Sequence, residues 1–304
     1  MELILHNNPR SMFSEKVRRV LAFKGLDWTD IEVPGLPPKS FLTPLTGGYR
    51  RMPVLQIGAD IYCDSALIVR KLEEIAPDPT VFPASSAGTA EMIADWVDHR
   101  VAMWSIISVF PDFLPHVTEE FIKDRTALVP DFAPDRVKVL APHTQAQLGQ
   151  FSAMLDSALT QHSFVAGADF SVADAACYHV AFFARSSPRA FAPLQASPRI
   201  VDWMDRIAAI PSPVVTKKEQ AYPLGVAAAA EPADLGDFSA GDDALSLGQV
   251  VAIAADDYAR ERIVGEIVKL TPGTVGVRQH DGDLGDTMIH FPRLGFTIDV
   301  VMGA

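Results

Sequence analysis

Two short stretches of this chain carry the side chains best placed for chemistry. In Ser11-Met12-Phe13-Ser14-Glu15-Lys16-Val17-Arg18-Arg19-Val20-Leu21, a hydroxyl opens a run in which Val17, Val20, Leu21 and Phe23 recur at helical spacing among Lys16, Arg18 and Arg19. The first N–H groups of a helix have no partner inside it and lie at the positive end of its dipole, so a hydroxyl there sits where an anion is favoured. Ser11 or Ser14 can equally serve as a plain N-cap, serine being a favoured cap residue. In the second stretch, Arg51-Met52-Pro53-Val54-Leu55 is followed at a short distance by Asp64-Ser65, an acidic residue and a hydroxyl ahead of another helical run.

Other chemistries lack their residues. The eight histidines show no metal spacing such as H-E-x-x-H, and no Gly-rich phosphate loop occurs, so neither a metal nor a nucleotide is implied. The two cysteines, Cys63 and Cys177, are far apart in sequence, and neither position 11 nor position 14 is a cysteine, which disfavours thiol–disulfide exchange. Cys63 reads as a buried strand residue. A formal net charge of -12 works against a broad phosphate-binding surface, and nucleic acid is not an expected partner. No apolar stretch reaches the roughly 18 to 20 residues that span a bilayer, and the start of the chain turns polar after Leu5, so a soluble protein of the reducing cytoplasm is expected.

The elements that must position these residues follow from periodicity and turn residues. A buried strand over 2–6, a helix over 11–24 closed by Gly25 and a strand over 28–33 make a β-α-β opening. Pro34 to Pro38 lead through an irregular segment to Gly47-Gly48. Two apolar runs, 53–57 and 61–62, flank Gly58-Ala59-Asp60 as a hairpin, and Asp64-Ser65 caps a helix to about Ile75, which makes the second half β-β-α. Pro77, Pro79 and Pro83 mark a linker. From Thr89 to Ile210 the pattern is helical, with Trp96, Val97, Val101, Trp104 and Ile107 on one face of the first long helix. Ser171-Val172-Ala173-Asp174 is a capping box that opens the apolar helix 175–184.

With 304 residues, 48% hydrophobic and 21% charged, the chain has material for two or three packed cores. Domains are expected at 1–77 and 87–210, with a Pro- and Ala-rich linker at 211–243 and a small β-barrel-like domain at 244–304. That last domain is read from five strand-like runs, 249–254, 262–270, 275–278, 287–291 and 296–301, punctuated by glycines. Residues 225–304 hold 13 acidic and 5 basic side chains, most of the negative charge of the chain.

The segment from Ser11 resembles the Ser-Pro-Phe-Ser-x-Lys-Val-Arg opening of the first helix in many glutathione transferases, and Arg51-Met52-Pro53-Val54-Leu55 with Asp64-Ser65 repeats a second pattern of the same superfamily. The resemblance covers residues 1–210 and does not reach the β tail. It implies an α/β thioredoxin-like domain and an all-α bundle, to which the tail adds a small all-β part. Position 12 departs from the commoner proline.

The resemblance assigns roles to particular residues. Ser11, with Ser14 as the alternative, would donate its O–H to the sulfur of glutathione and hold it ionised, and Phe13 belongs to the same motif. Pro53 would be cis, turning the backbone of Met52 toward the cysteinyl part. Asp64 and Ser65 would receive the γ-glutamyl end. Arg50 or Arg51, where relatives often have a lysine or a small loop residue, could contact a glutathione carboxylate or stand as a solvated surface arginine, and Arg51 is the one taken as a binding candidate. An electrophile pocket is expected between the half-domain and the first bundle helices, lined by Trp96, His99, Met103 and Trp104. The implied activity is transfer of the glutathione thiolate to a small electrophilic or peroxidic molecule by a homodimer, with glutathione as cosubstrate and no metal. A non-catalytic glutathione-binding protein recruiting partners through the tail, and a glutathione-dependent isomerase or dehalogenase, stand as alternatives. The tail is expected to dock on the bundle as its own barrel and to be dispensable for glutathione binding.

Overall fold

Short apolar runs separated by Gly, Pro and Asp turns build the first sheet. The computed structural model of the chain describes residues 1–234 and 245–301. β1 (Ile4–Asn7) pairs in parallel with β2 (Trp28–Glu32) and antiparallel with β3 (Val54–Ile57), which forms a hairpin with β4 (Asp60–Cys63). Between them run α1 (Met12–Phe23), the short α2 (Thr43–Thr46) and, after β4, α3 (Ser65–Ile75). The β-α-β and β-β-α order expected from the sequence is present. Gly25, at φ +62, ends α1 with its N–H on the Ala22 carbonyl at 3.0 Å, a conformation that an L side chain would strain.

The helical part comprises α4 (Ala87–Trp96), a π-helical turn over Val97–Val101, α5 (Ala102–Phe113), α6 (Glu119–Leu128), α7 (Pro134–Ala158), α8 (Val172–Ala184), α9 (Pro188–Gln195) and α10 (Pro198–Ala208). Ser171 and Asp174 form the expected capping box at the start of α8. The Asp174 carboxylate also accepts the Val165 N–H at 2.8 Å and the Trp203 indole N–H at 2.9 Å. One buried acid thus fixes the start of α8, the preceding loop and α10.

The expected linker at 211–243 carries structure of its own. β5 (Val215–Lys217) pairs in parallel with β2, and α11 (Tyr222–Ala228) follows, with Gln56 donating to the Pro223 carbonyl at 3.0 Å. The outer edge of β2 offers unpaired backbone groups, and the Val215 run satisfies them. Residues 235–243 of that linker, and residue 244 at the start of the expected β domain, lie outside the described residues.

All five tail strands are present, as β6 (Val250–Ala255), β7 (Ile263–Leu270), β8 (Thr274–Asp281), β9 (Gly285–Pro292) and β10 (Phe296–Val300). Their arrangement corrects the expectation of a separate barrel. β9 runs parallel to β4, with Asp60, Ile61 and Tyr62 opposite Met288, Ile289 and His290, and the described strands form one ten-stranded sheet in the order β10-β6-β7-β8-β9-β4-β3-β1-β2-β5. The cause is burial. Val54, Ile61 and Cys63 from the first hairpin share one apolar cluster with Val251, Ile267, Val277, Ile289 and Phe291 from the tail, so neither half closes its core alone.

By contact density the chain divides into two units. One holds Met1–Pro9, Asp27–Lys71 and the described residues of Val214–Ala304, and the other holds Arg10–Leu26 and Leu72–Pro213. The boundaries therefore differ from a simple division near residue 77: α1 packs with the helices, while the tail packs with the first sheet.

Candidate functional site

In the sheet unit, the β3–β4 register pairs Val54 with Cys63, which brings Met52-Pro53 and Asp64-Ser65 to the same end of the hairpin. The Met52–Pro53 peptide is cis. Asp64 adopts φ +81, a region that non-glycine residues rarely enter, and its short carboxylate secures the turn by accepting the Ala66 N–H at 2.8 Å. Ser65 is the first residue of α3 and is buried. This end of the hairpin therefore presents a carboxylate, a hydroxyl and the first turn of a helix, a set that can take the ammonium and carboxylate of an amino-acid-like group.

The segment leading into Met52 is held by the tail. Gly47 sits at φ +61 under the side chain of Gln279, whose amide nitrogen would lie 2.3 Å from a Cβ at that position. Tyr49 is buried and meets the rings of Phe291 at 5.7 Å and Phe296 at 6.4 Å. The Arg51 guanidinium pairs with the Asp257 carboxylate and lies 3.9 Å over the ring of Tyr258. That engagement differs from the glutathione carboxylate expected to occupy Arg51. Cys63 is fully buried, and burial pushes its thiol well above the usual range, which suits a core residue.

In the helical unit, Ser11 is the N-cap of α1, its Oγ accepting the Ser14 N–H at 3.2 Å. That bond uses a lone pair and leaves the O–H hydrogen to donate. Ser14 is fully buried one turn in, whereas Ser11 and Phe13 are half-buried. The Phe13 ring lies 4.9 Å from the imidazole of His179. His179 Nε2 in turn is 2.8 Å from the Asp98 carboxylate, which also pairs with the buried ammonium of Lys16 on α1. Burial works to raise the Asp98 carboxyl, but the Lys16 charge and the His179 hydrogen bond outweigh it and hold the group at about 2. Asp98 belongs to the π-helical turn, whose extra residue redirects the side chains of the long helix.

The expected pocket residues are distributed around that turn. Trp96 packs edge-on to Trp104 at 6.1 Å and against Phe151 at 6.2 Å, and Arg100 lies 5.6 Å over Trp104. Met103 packs on the cluster of Ile107, Phe110, Phe132 and Val137. His99 is exposed and bonds back to the Asp95 carbonyl at 3.0 Å. Helix packing thus engages Trp96, Met103 and Trp104.

Among the described residues no group of three or more His, Cys, Asp or Glu is arranged to hold a metal, and no helix is long and apolar enough to cross a membrane. Sequence reasoning missed Asp98, His179, Asp257 and Tyr258. For Asp98 the only hint was the buried-face position of Lys16, a charge that needs a partner. For Asp257 and Tyr258 the local sequence carries no hint, because their partner lies some 200 positions earlier.

The glutathione S-transferase N-terminal domain family matches residues 5–80, and the glutathione S-transferase C-terminal domain family matches residues 138–206. A GST-like protein from Pseudomonas syringae is 32% identical, with 99% of each chain covered and a TM-score of 0.83. The beta-etherase LigF from Sphingobium sp. strain SYK-6 is 19% identical over 70% of this chain and 97% of its own, at a TM-score of 0.56. Glutathione S-transferase III in its apo form is 22% identical over 70% of this chain and 94% of its own, at 0.53, and these two show likeness of fold alone. Comparison with curated proteins finds no match.

Proposed function

The chain belongs to the glutathione S-transferase superfamily, and from that premise we propose that it transfers the thiolate of glutathione to a small electrophilic or peroxidic molecule. The observation that carries this reading is Ser11 capping α1 with its hydroxyl hydrogen left to donate. A thiol of ordinary pKa, about 8.5, is mostly protonated at neutral pH, and a hydroxyl donor at the positive end of a helix favours its ionised form. Phe13 stands beside that donor in the same motif.

In this reading the Met52 backbone aligns the cysteinyl part, and Asp64 and Ser65 receive the ammonium and carboxylate of the γ-glutamyl end. The sulfur then forms its bond to the electrophilic carbon while a leaving group departs with its electron pair, or it bonds to one peroxide oxygen as the O–O bond breaks and the other oxygen leaves with the electron pair and takes a proton from solvent. The protein would act as a homodimer in the cytoplasm.

Two variants test the division of roles. Ser11→Ala lowers conjugation of glutathione to activated electrophiles by about tenfold or more while glutathione affinity stays within about threefold, because the hydroxyl stabilises the thiolate more than the thiol. Ser65→Ala weakens glutathione binding itself, by about 1.5 to 3 kcal/mol in calorimetry for a charge-assisted bond. Loss in Ser14→Ala with none in Ser11→Ala reverses the assignment of the hydroxyl. Binding without turnover on a broad electrophile panel replaces the enzyme with a glutathione-binding protein.

A further inference from the structure

We infer that Asp257 and Tyr258, in the β6–β7 loop of the tail, are positioning residues for glutathione, acting through Arg51 on the Met52-Pro53 backbone. The inference rests on the proposed function, and it gives the tail a part in that site. The tail reaches the approach to Met52 at four successive points: Gln279 over Gly47, Phe291 and Phe296 on Tyr49, Glu261 3.9 Å from Arg50, and Asp257 with Tyr258 on Arg51. The last is adjacent to the residue whose main chain is assigned to the cysteinyl group.

The Arg51 side chain is only 13% exposed, yet its Nε is buried without a hydrogen-bond partner. What holds the guanidinium is therefore the Asp257 carboxylate at its end and the Tyr258 ring at its face, a planar cation held by a charge and a π surface. The capturing loop is itself stiffened. Ala259 adopts φ +47, rare for a residue with a side chain, and Arg260 donates to the Asp257 carbonyl at 3.1 Å. A backbone tethered this way keeps its N–H and C=O aimed before the ligand arrives, which lowers the ordering cost of binding.

Calorimetry of reduced glutathione binding to the full-length protein tests this. Arg51→Ala, Asp257→Asn and Tyr258→Ala each raise Kd by about five- to tenfold, the Arg51→Ala/Tyr258→Ala double variant by no more than the larger single effect, and Tyr258→Phe, which keeps the ring, stays within about twofold of the natural protein. Thermal midpoints within about 3 °C of the natural protein separate positioning from general destabilisation. If the natural protein binds glutathione and all four single variants bind it equally well, or if the losses add in the double variant, the inference is overturned while the proposed function stands. A loss in Tyr258→Ala that Tyr258→Phe shares equally also overturns it. Absence of binding by the natural protein overturns the proposed function and this inference together.

Discussion

His290 Nε2 lies 2.9 Å from the Asp60 carboxylate, at the row where β9 runs alongside β4 and both side chains are sealed from solvent. Asp60 also accepts the Ala233 N–H at 2.8 Å, and the next residue, Asp234, takes the Tyr62 hydroxyl at 2.8 Å, Lys71 at 2.9 Å and Lys269 at 2.6 Å. The Tyr62 and His290 rings stack at 4.5 Å. Gly276 faces His290 and Lys269 in the same cross-strand row, and a Cβ there would stand 2.9 Å from that of Lys269. Polar groups from the first hairpin, α3, the 233–234 segment and the tail are thus joined in one network.

Removing Asp60 leaves His290 and the backbone N–H groups of Ala233 and Asp234 without their shared partner. Asp60→Ala is expected to destabilise the protein by about 3 to 5 kcal/mol, as for other buried networks that lose one member. Urea unfolding measures it. A loss below about 1 kcal/mol shows that the seam is held by apolar packing alone.

Truncation after Ile210 removes β5 and the tail together. It strips both neighbours from the first four strands and uncovers Val54, Ile61 and Cys63, so the truncated chain is expected to aggregate or lose its sheet. Gel filtration and far-UV circular dichroism report the outcome. A soluble, folded truncation retained on a glutathione column shows that the first half closes its own core.

Acid should weaken the fold in two windows. His6 is buried on β1 with Nε2 2.9 Å from Gln56, and burial, against that hydrogen bond, lowers it to about 4. Between the ordinary histidine value of about 6.5 and that point the unfolded chain binds a proton that the native chain does not, so stability falls with pH by about 3 kcal/mol. His179 and His290 are lowered by burial in the same direction. Asp98, held at about 2, contributes stability that is present above about pH 4 and is lost as pH falls toward 2. Urea unfolding at pH 7.5 and 4.5 should show the first loss, with His6→Gln reducing it. An unchanged midpoint across that range contradicts the assignment of His6 as a buried neutral group.

The sequence by itself determined the elements and the two motifs. Ser11 caps α1, Ser171 and Asp174 cap α8, the Gly58-Ala59-Asp60 turn joins two strands, and the five tail runs became strands within a few residues of their expected bounds, because caps, turns and apolar period act over a handful of neighbouring residues. Tertiary structure decided what those elements meet. That β9 pairs with β4, that Val215–Lys217 completes the edge of β2, that Lys16 finds Asp98 and Arg51 finds Asp257 and Tyr258 are long-range choices. Backbone edges and charges state only that a partner is required. Which partner arrives is set by how the whole chain buries its apolar surface, and no local spacing encodes that.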